Sequence, residues 1–214
     1  MSNIRLYFPD NIEENSTRLL SKEHIHYVAN VMRMKRGSNI NFFNKEGEWL
    51  SEIIFLDRDR VEVKFLNKTK ESSKPSNIEL AICLVKKNPM ELILQKATEL
   101  GVNRITPIIS ERTEIKELNY ERAQKISIEA TEQSNQLNPP KITDVMKLKD
   151  FLSTLDRNTK LLFADVNSND YLKNGDLKDS KSLCILIGPE GDFSPSERKS
   201  ILENSSVKPF TLSK

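Results

Sequence analysis

Cysteine and histidine are scarce in this 214-residue chain, which holds two of each. Cys83 and Cys184 each sit inside an apolar, strand-like run, "LAICLV" and "SLCILI". Such settings predict reduced core residues and argue against a disulfide or an activated thiolate. There is no C-x-x-C, and the two histidines, His24 and His26, fall on different faces of a helix, so no metal is expected. Long apolar runs are missing as well. None approaches the roughly 18–20 residues needed to cross a bilayer, and the N-terminal "MSNIRLYFPD" lacks the apolar centre of a signal peptide. A cytoplasmic protein with no membrane partner is expected. Excess charge of one sign is also lacking: Lys+Arg number 33 against 31 Asp+Glu. Total charge therefore announces no nucleic-acid partner, and any basic surface has to be local. Neither G-x-G-x-x-G nor G-x-x-x-x-G-K-[ST] occurs, which removes the commonest phosphate-cradling loops. Internal repeats and low-complexity tracts are absent too.

What remains is a globular composition, 37% apolar and 30% charged, long enough for one large domain or two small ones. Residues 1–70 read mainly as strands: 4–8, 39–44, 49–56 and 60–66, with Lys45-Glu46-Gly47-Glu48 as a hairpin loop. Val61, Val63 and Phe65 alternate with polar residues, as in a half-buried strand. One helix interrupts them. Ser21 can cap it, Ile25, Val28, Ala29 and Met32 form its apolar stripe, and Gly37 is placed to end it. Several short strands with one helix suggest a small β-barrel. The polar stretch "NKTKESSKPSN" (67–77) reads as a linker.

From residue 78 strands and helices alternate. "IELAICLV" (78–85) is nearly continuous in apolar residues, as in a strand buried on both faces. Asn88-Pro89-Met90-Glu91 gives a helix start with Asn88 as the cap and Pro89 in the first position. That helix closes at Gly101. A strand at 104–110, a helix from Tyr120 to Gln136 and a short helix at 148–155 follow. Further strands are predicted at 160–166, 182–188 and 207–213, with a helix started by Ser194-Pro195-Ser196-Glu197. Such alternation predicts a mostly parallel sheet covered by helices, with ligands at the carboxyl ends of the strands.

At one such end stands "ILIGPEGDFSPSE" (185–197). Two glycines let a ligand approach the backbone closely, and Pro189 stiffens the turn. Exposed N–H and C=O groups there can read the edge of a purine. Glu190 would repel a pyrophosphate but suits a cationic or hydroxyl-bearing ligand, a description that S-adenosylmethionine meets. On these residues alone an ordinary strand-to-helix turn is an equal alternative.

Four stretches carry a resemblance. "LIGPEGDFSPSE" (186–197) resembles the L-I-G-P-E-G-G-F-S-x-x-E signature of the RsmE family, the 16S rRNA uridine-N3 methyltransferases of the SPOUT superfamily. "HIHYVANVMRMKRGSNI" (24–40), "KKNPMELILQKATELGVNRITPIISERT" (86–113) and "ISIEATEQSNQLNPPKI" (126–142) resemble that family's other segments in the same order. Three departures stand out. The family usually has glycine where Asp192 stands and arginine near Gln136, and it continues past the "LS" at 212–213 into an L-R-x-E-T-A segment. The sequence given ends at Lys214. The expectation is that the chain is truncated, or that the protein lacks that half of the site.

The resemblance implies an α/β protein of two domains: a PUA-like β-barrel for RNA, expected at 1–72, and a SPOUT domain with a trefoil knot, expected at 76–214. It also implies a homodimer that binds S-adenosylmethionine and acts on 16S rRNA of the small ribosomal subunit. The expected cofactor contacts are the backbone of Ile187, Gly188, Pro189, Glu190 and Gly191, with the strand end at Phe163-Ala164; for the latter, plain core is the alternative. Arg112 is the catalytic candidate, for stabilising a uracil anion or gripping phosphate; the alternative is an ion pair with Glu111 or Glu114. Glu132 and Gln133 are candidates to shape the pocket or the dimer seam. For RNA the candidates are Arg5, Arg33, Lys35 and Arg36. Residues 1–70 hold 12 basic and 10 acidic side chains, so this patch is local, and cations answering a helix dipole are the other reading. A methyltransferase acting on another RNA, or a non-catalytic RNA-binding homologue, remains open at this level.

Overall fold

The computed structural model describes residues 4–72, 74, 76–177 and 181–212. Two compact units emerge. The first is Met1–Lys74 together with Thr131–Asn138, and the second is Pro75–Ala130 with Pro139–Lys214. Ser73 and Pro75 of the expected linker, and Ser213 of the expected last strand, lie outside the described residues.

The first unit is a five-stranded sheet. Its strands are β1 (Arg5–Tyr7), β2 (Thr17–Leu19), β3 (Asn39–Asn44), β4 (Gly47–Leu56) and β5 (Val61–Glu71), in spatial order β1-β3-β4-β5-β2. β1 runs parallel to β3 and the other neighbours are antiparallel. Leu6, Phe42, Trp49, Ile53, Val61, Val63 and Phe65 share one core with Val28 of the helical segment. The hairpin between β3 and β4 is tighter than expected, with Asn44 paired directly to Gly47. The expected linker is shorter too. Residues 67–71 extend β5 along β4 with bulges in the register. Backbone pairing, not side-chain burial, holds this polar end, so the side-chain pattern could not show it.

The helix also differs from expectation. Ser21 caps α1 (Lys22–Ile25) by accepting from the His24 N–H at 3.2 Å. The chain then widens into a π-helical turn, His26–Val31, in which Met32 N–H donates to Tyr27 C=O. Arg33 follows with φ +49°, so the helix stops there, before Gly37. The wider turn displaces the expected stripe: Val28 is fully buried, whereas Met32 is exposed.

The second unit is a parallel sheet of seven strands. β6 (Ile78–Cys83), β7 (Arg104–Ile109), β10 (Thr159–Ala164), β11 (Ser182–Ile187) and β12 (Val207–Phe210) are joined by the two-residue strands β8 (Lys141–Ile142) and β9 (Met146–Lys147). The order is β12-β10-β11-β6-β7-β8, with β9 also on β7, and every pairing is parallel. Side chains alternate between two cores, as the pleat requires. Ala81, Cys83, Leu161, Phe163, Cys184 and Leu186 face α4 (Leu148–Thr154) and α5 (Pro195–Leu202). Leu80, Ile82 and Ile105 face α2 (Lys87–Glu99) and α3 (Tyr120–Gln133). Both cysteines are free and fully buried, and burial pushes the Cys83 thiol up to about 11. α2 begins one residue before its expected cap. Lys86 is the cap and Pro89 the third helical residue, with Met90 N–H making a helical bond to Lys86 C=O. The first turn has no helical partner for its N–H groups, so proline is tolerated throughout it. α3 ends at Gln133, short of Gln136. Among the described residues no helix is long and apolar enough to cross a membrane.

Candidate active site at the carboxyl ends of the parallel strands

β11 and β6 are hydrogen-bonded neighbours, yet their crossovers leave in opposite directions. β11 leads into α5 on one face of the sheet, and β6 leads into α2 on the other. Loops that part in this way open a crevice at the strands' carboxyl ends, where ligands bind in parallel sheets. Gly188–Asp192 is the loop on β11 at this point.

The loop is held from below and from one side. Phe193 is buried, and its ring lies 5.6 Å from that of Phe163 in an edge-on pair. A Cβ on Gly188 would come within 3.0 and 3.2 Å of the Phe193 ring, so the glycine lets the ring pack beneath the turn. Gly191 is roomier: a Cβ there would meet only Arg112 side-chain carbons, at 3.7 and 3.8 Å. Asp192 takes the left-handed conformation, φ +60°, and its Oδ1 accepts the Phe193 N–H at 2.8 Å. Aspartate tolerates this backbone through such local bonds, which explains how it stands where the resembled signature has glycine.

Arg112 comes from the loop after β7. It is exposed, and its Nη1 donates to Gly191 C=O at 2.9 Å. The alternative ion pairs do not form among the described residues; Glu114 faces Lys86 instead, at 4.0 Å. Beside Arg112, Ser110 and Thr113 are buried with their hydroxyls 2.8 Å apart, and Thr113 Oγ1 also accepts the Ser110 N–H. The loop base is therefore rigid while the guanidinium stays at the rim.

Phe163 and Ala164 close β10. The Phe163 side chain is core, leaving backbone as its offering to a ligand, while Ala164 is half-buried. Sequence reasoning missed the next residue. The Asp165 side chain is fully buried and takes a forked pair of bonds from Arg198 of α5, Nη2 at 2.8 Å and Nε at 3.1 and 3.2 Å. Burial alone would raise this carboxyl. The Arg198 bonds and charge, with the Asn167 N–H, hold it below the usual carboxylate range. Its signal was an acid directly after a strand, at the edge where ligands bind.

The expected RNA residues separate. Arg33, Lys35 and Arg36 are exposed. Arg5 is not: its side chain is 12% exposed, bonded to Glu48 at 2.9 Å and stacked 4.3 Å over the Phe43 ring. Its remaining donors reach the carbonyls of Thr131, Glu132, Ser134 and Gln136. This guanidinium organises the first unit and has nothing left for phosphate, which corrects the expectation for Arg5. Glu132 is likewise structural, accepting the Tyr7 N–H at 2.9 Å.

The donor set around Gly188–Asp192 is backbone amide and carbonyl, two carboxylates and one guanidinium. That suits a ligand bearing a cation, hydroxyls and a heterocycle, and it does not suit a polyphosphate.

Comparison with known proteins agrees. A family model described as an RNA methyltransferase domain matches residues 71–214, and one described as an RNA methyltransferase PUA domain matches residues 20–66. Ribosomal RNA small subunit methyltransferase E of Rickettsia conorii is 32% identical across 97% of this chain and 86% of its own length. The enzyme of that name from Bacillus subtilis is 30% identical across 92% of this chain and 82% of its own. A Neisseria gonorrhoeae ribosomal RNA small subunit methyltransferase E, crystallised with S-adenosyl methionine, superposes with a TM-score of 0.85 at 27% identity, covering 99% of this chain and 90% of that one. A Legionella pneumophila methyltransferase in complex with the same cofactor gives 0.86 at 26% identity, covering 100% and 90%. With its parallel sheet, its loop at the switch point and these relatives, the chain belongs to the ribosomal RNA small subunit methyltransferase E family of RNA methyltransferases.

Proposed function

We propose that this protein methylates N3 of a uridine in 16S rRNA of the small ribosomal subunit, using S-adenosylmethionine as the methyl donor. The observation that carries the reading is the Gly188–Asp192 loop at the switch point of a parallel sheet, with Arg112 fastened to the Gly191 carbonyl. Two relatives crystallised with S-adenosylmethionine support the choice of cofactor. The backbone of Ile187–Gly191 and of the Phe163-Ala164 strand end would hold the cofactor.

The N3–H of uridine is a weak acid, so attack by that nitrogen needs its proton removed or the developing uracil anion stabilised. Arg112 keeps donors free at the rim and is the residue proposed to meet that charge. Orientation contributes most: holding donor and acceptor in line is worth about 7–11 kcal/mol in well-aligned reactions. Arg33, Lys35 and Arg36 are proposed to grip the RNA backbone. Division into an RNA-binding part at 1–72 and a methyltransferase part at 76–214, assembly as a homodimer, a cytoplasmic location and a reaction without a metal belong to the same reading.

Calorimetry with S-adenosylmethionine, followed by methylation of small-subunit RNA and mass spectrometry of its nucleosides, tests it. Micromolar-range binding and new N3-methyluridine are expected. Binding without methylated product points to a different RNA target, and RNA binding with no cofactor binding points to a non-catalytic homologue.

A further inference from the structure

We propose that Glu197 and Arg198, consecutive residues in the first turn of α5, form a two-armed clamp that sets the Gly188–Asp192 loop before any ligand arrives. This rests on the reading of that loop as the cofactor site. The clamp residues are positioning residues; neither needs to touch the cofactor.

Glu197 uses both carboxylate oxygens. Its Oε2 accepts the Ser194 N–H at 3.0 Å, and Ser194 Oγ accepts the Glu197 N–H at 3.2 Å, which makes the capping box of α5. Capping needs no more than that. Its Oε1 nevertheless accepts the backbone N–H of Glu111 at 2.8 Å, 86 residues away in sequence. Glu111 directly precedes Arg112, so this bond fixes the backbone from which Arg112 reaches Gly191.

Arg198 points the other way. Neighbouring helical residues diverge by about 100° around the axis, and Arg198 crosses to the buried Asp165 at the end of β10. A cation in the first turn opposes the helix dipole, so helix stability does not explain Arg198, whereas the forked bond to a buried carboxylate does. In the sheet β11 and β6 lie between β10 and β7. The two arms thus tie α5 to strand ends on both sides of the switch point. Only Phe193 and Ser194 separate the loop from α5, so fixing that turn fixes the loop. A loop already in its binding shape spares the ordering cost of association.

Three variants of the full chain test the clamp: Glu197→Gln, which keeps one acceptor of two; Arg198→Lys, which loses the fork; and the double change Asp165→Leu with Arg198→Met. The double change replaces the ion pair by apolar groups of similar size, a swap that folds are known to tolerate. The readouts are S-adenosylmethionine affinity by calorimetry, KM for cofactor against KM for rRNA, and hydrogen exchange of residues 188–193 in the ligand-free protein. Cofactor affinity is expected to weaken on the order of tenfold or more, with KM for rRNA little changed and faster exchange in the loop. If the unaltered protein binds cofactor and all three variants bind it equally well, the clamp is overturned. If the unaltered protein binds no cofactor, the cofactor reading falls. Loop exchange then decides the clamp: faster exchange in the variants upholds it and unchanged exchange overturns it.

Discussion

The two units spend arginine in opposite ways. In the first, Arg5 is largely shielded against Glu48 and Phe43, with its Nε on the Glu48 carboxylate and its other donors on main-chain carbonyls. In the second, Arg112 stands exposed with one bond to a loop carbonyl, and Arg198 lies between these extremes, its head on a buried carboxylate and 35% of its side chain exposed. An arginine within a strand became part of a scaffold, and an arginine in the loop after a strand kept its charge available. Position relative to strand ends separates the roles better than local charge, because a parallel sheet opens its crevice at one edge only.

The largest expected effect breaks the comparison at Arg5. Arg5→Ala leaves the buried Glu48 without its cationic partner, with only the Asn41 amide bonded to its carboxylate among the described residues, and should cost about 3–5 kcal/mol in urea unfolding. Arg112→Ala should change stability by less than about 0.5 kcal/mol while lowering kcat for methyl transfer on the order of a hundredfold or more. Similar stability losses for both would erase the distinction.

Within the loop, Gly188→Ala forces its methyl against the Phe193 ring and should cost about 1–3 kcal/mol. Gly191→Ala finds ordinary contact distances and should cost well under half of that. Thermal unfolding of both variants checks the pair.

Acid should act on the units in order. His24 is half-buried beside Phe8 and Phe42, its Nδ1 is shielded from solvent with no hydrogen-bond partner among the described residues, and this desolvation lowers its pKa below the ordinary 6.5. Its contribution is therefore full above pH 6.5 and is lost as pH falls through the lowered folded value. Asp165 has the same sign in the carboxylate range: its contribution is present above the ordinary carboxylate value and disappears below it. His24→Leu should flatten the loss of stability just below pH 6.5 and leave the lower-pH limb intact, as read from urea midpoints across pH.

Smallest on stability is Arg33→Ala with Lys35→Ala and Arg36→Ala, expected to shift unfolding by less than about 0.5 kcal/mol. RNA affinity should fall, and the slope of log K against log salt should become shallower by about 2 for three lost phosphate contacts to single-stranded RNA. An unchanged slope would remove these residues from the RNA surface.

Much of the fold was legible because its signals are local. Alternation in "VEVKF" located β5, the apolar run at 78–85 located β6 (two residues longer than the strand that forms), and Ser194-Pro195-Ser196-Glu197 announced the capped start of α5. The errors fall where the backbone acts without side-chain help. A polar strand end persisted on ladder bonds, a π-turn shifted an apolar stripe, and proline entered α2 two residues later than its preferred place. The site was legible as a loop. Its supports were not: Asp165 with Arg198, and Glu111 with Glu197, are 33 and 86 residues apart.

The sequence by itself determined the alternating strand–helix texture, the buried thiols and the position of "GPEGD" after a strand, since periodicity and turn chemistry are properties of neighbouring residues. Tertiary structure decided which strands became neighbours, and so that β11 and β6 part at a switch point. It also decided which arginines became scaffold and which remained at the rim. Those outcomes depend on desolvation and on partners brought from distant segments, and no window along the chain contains them.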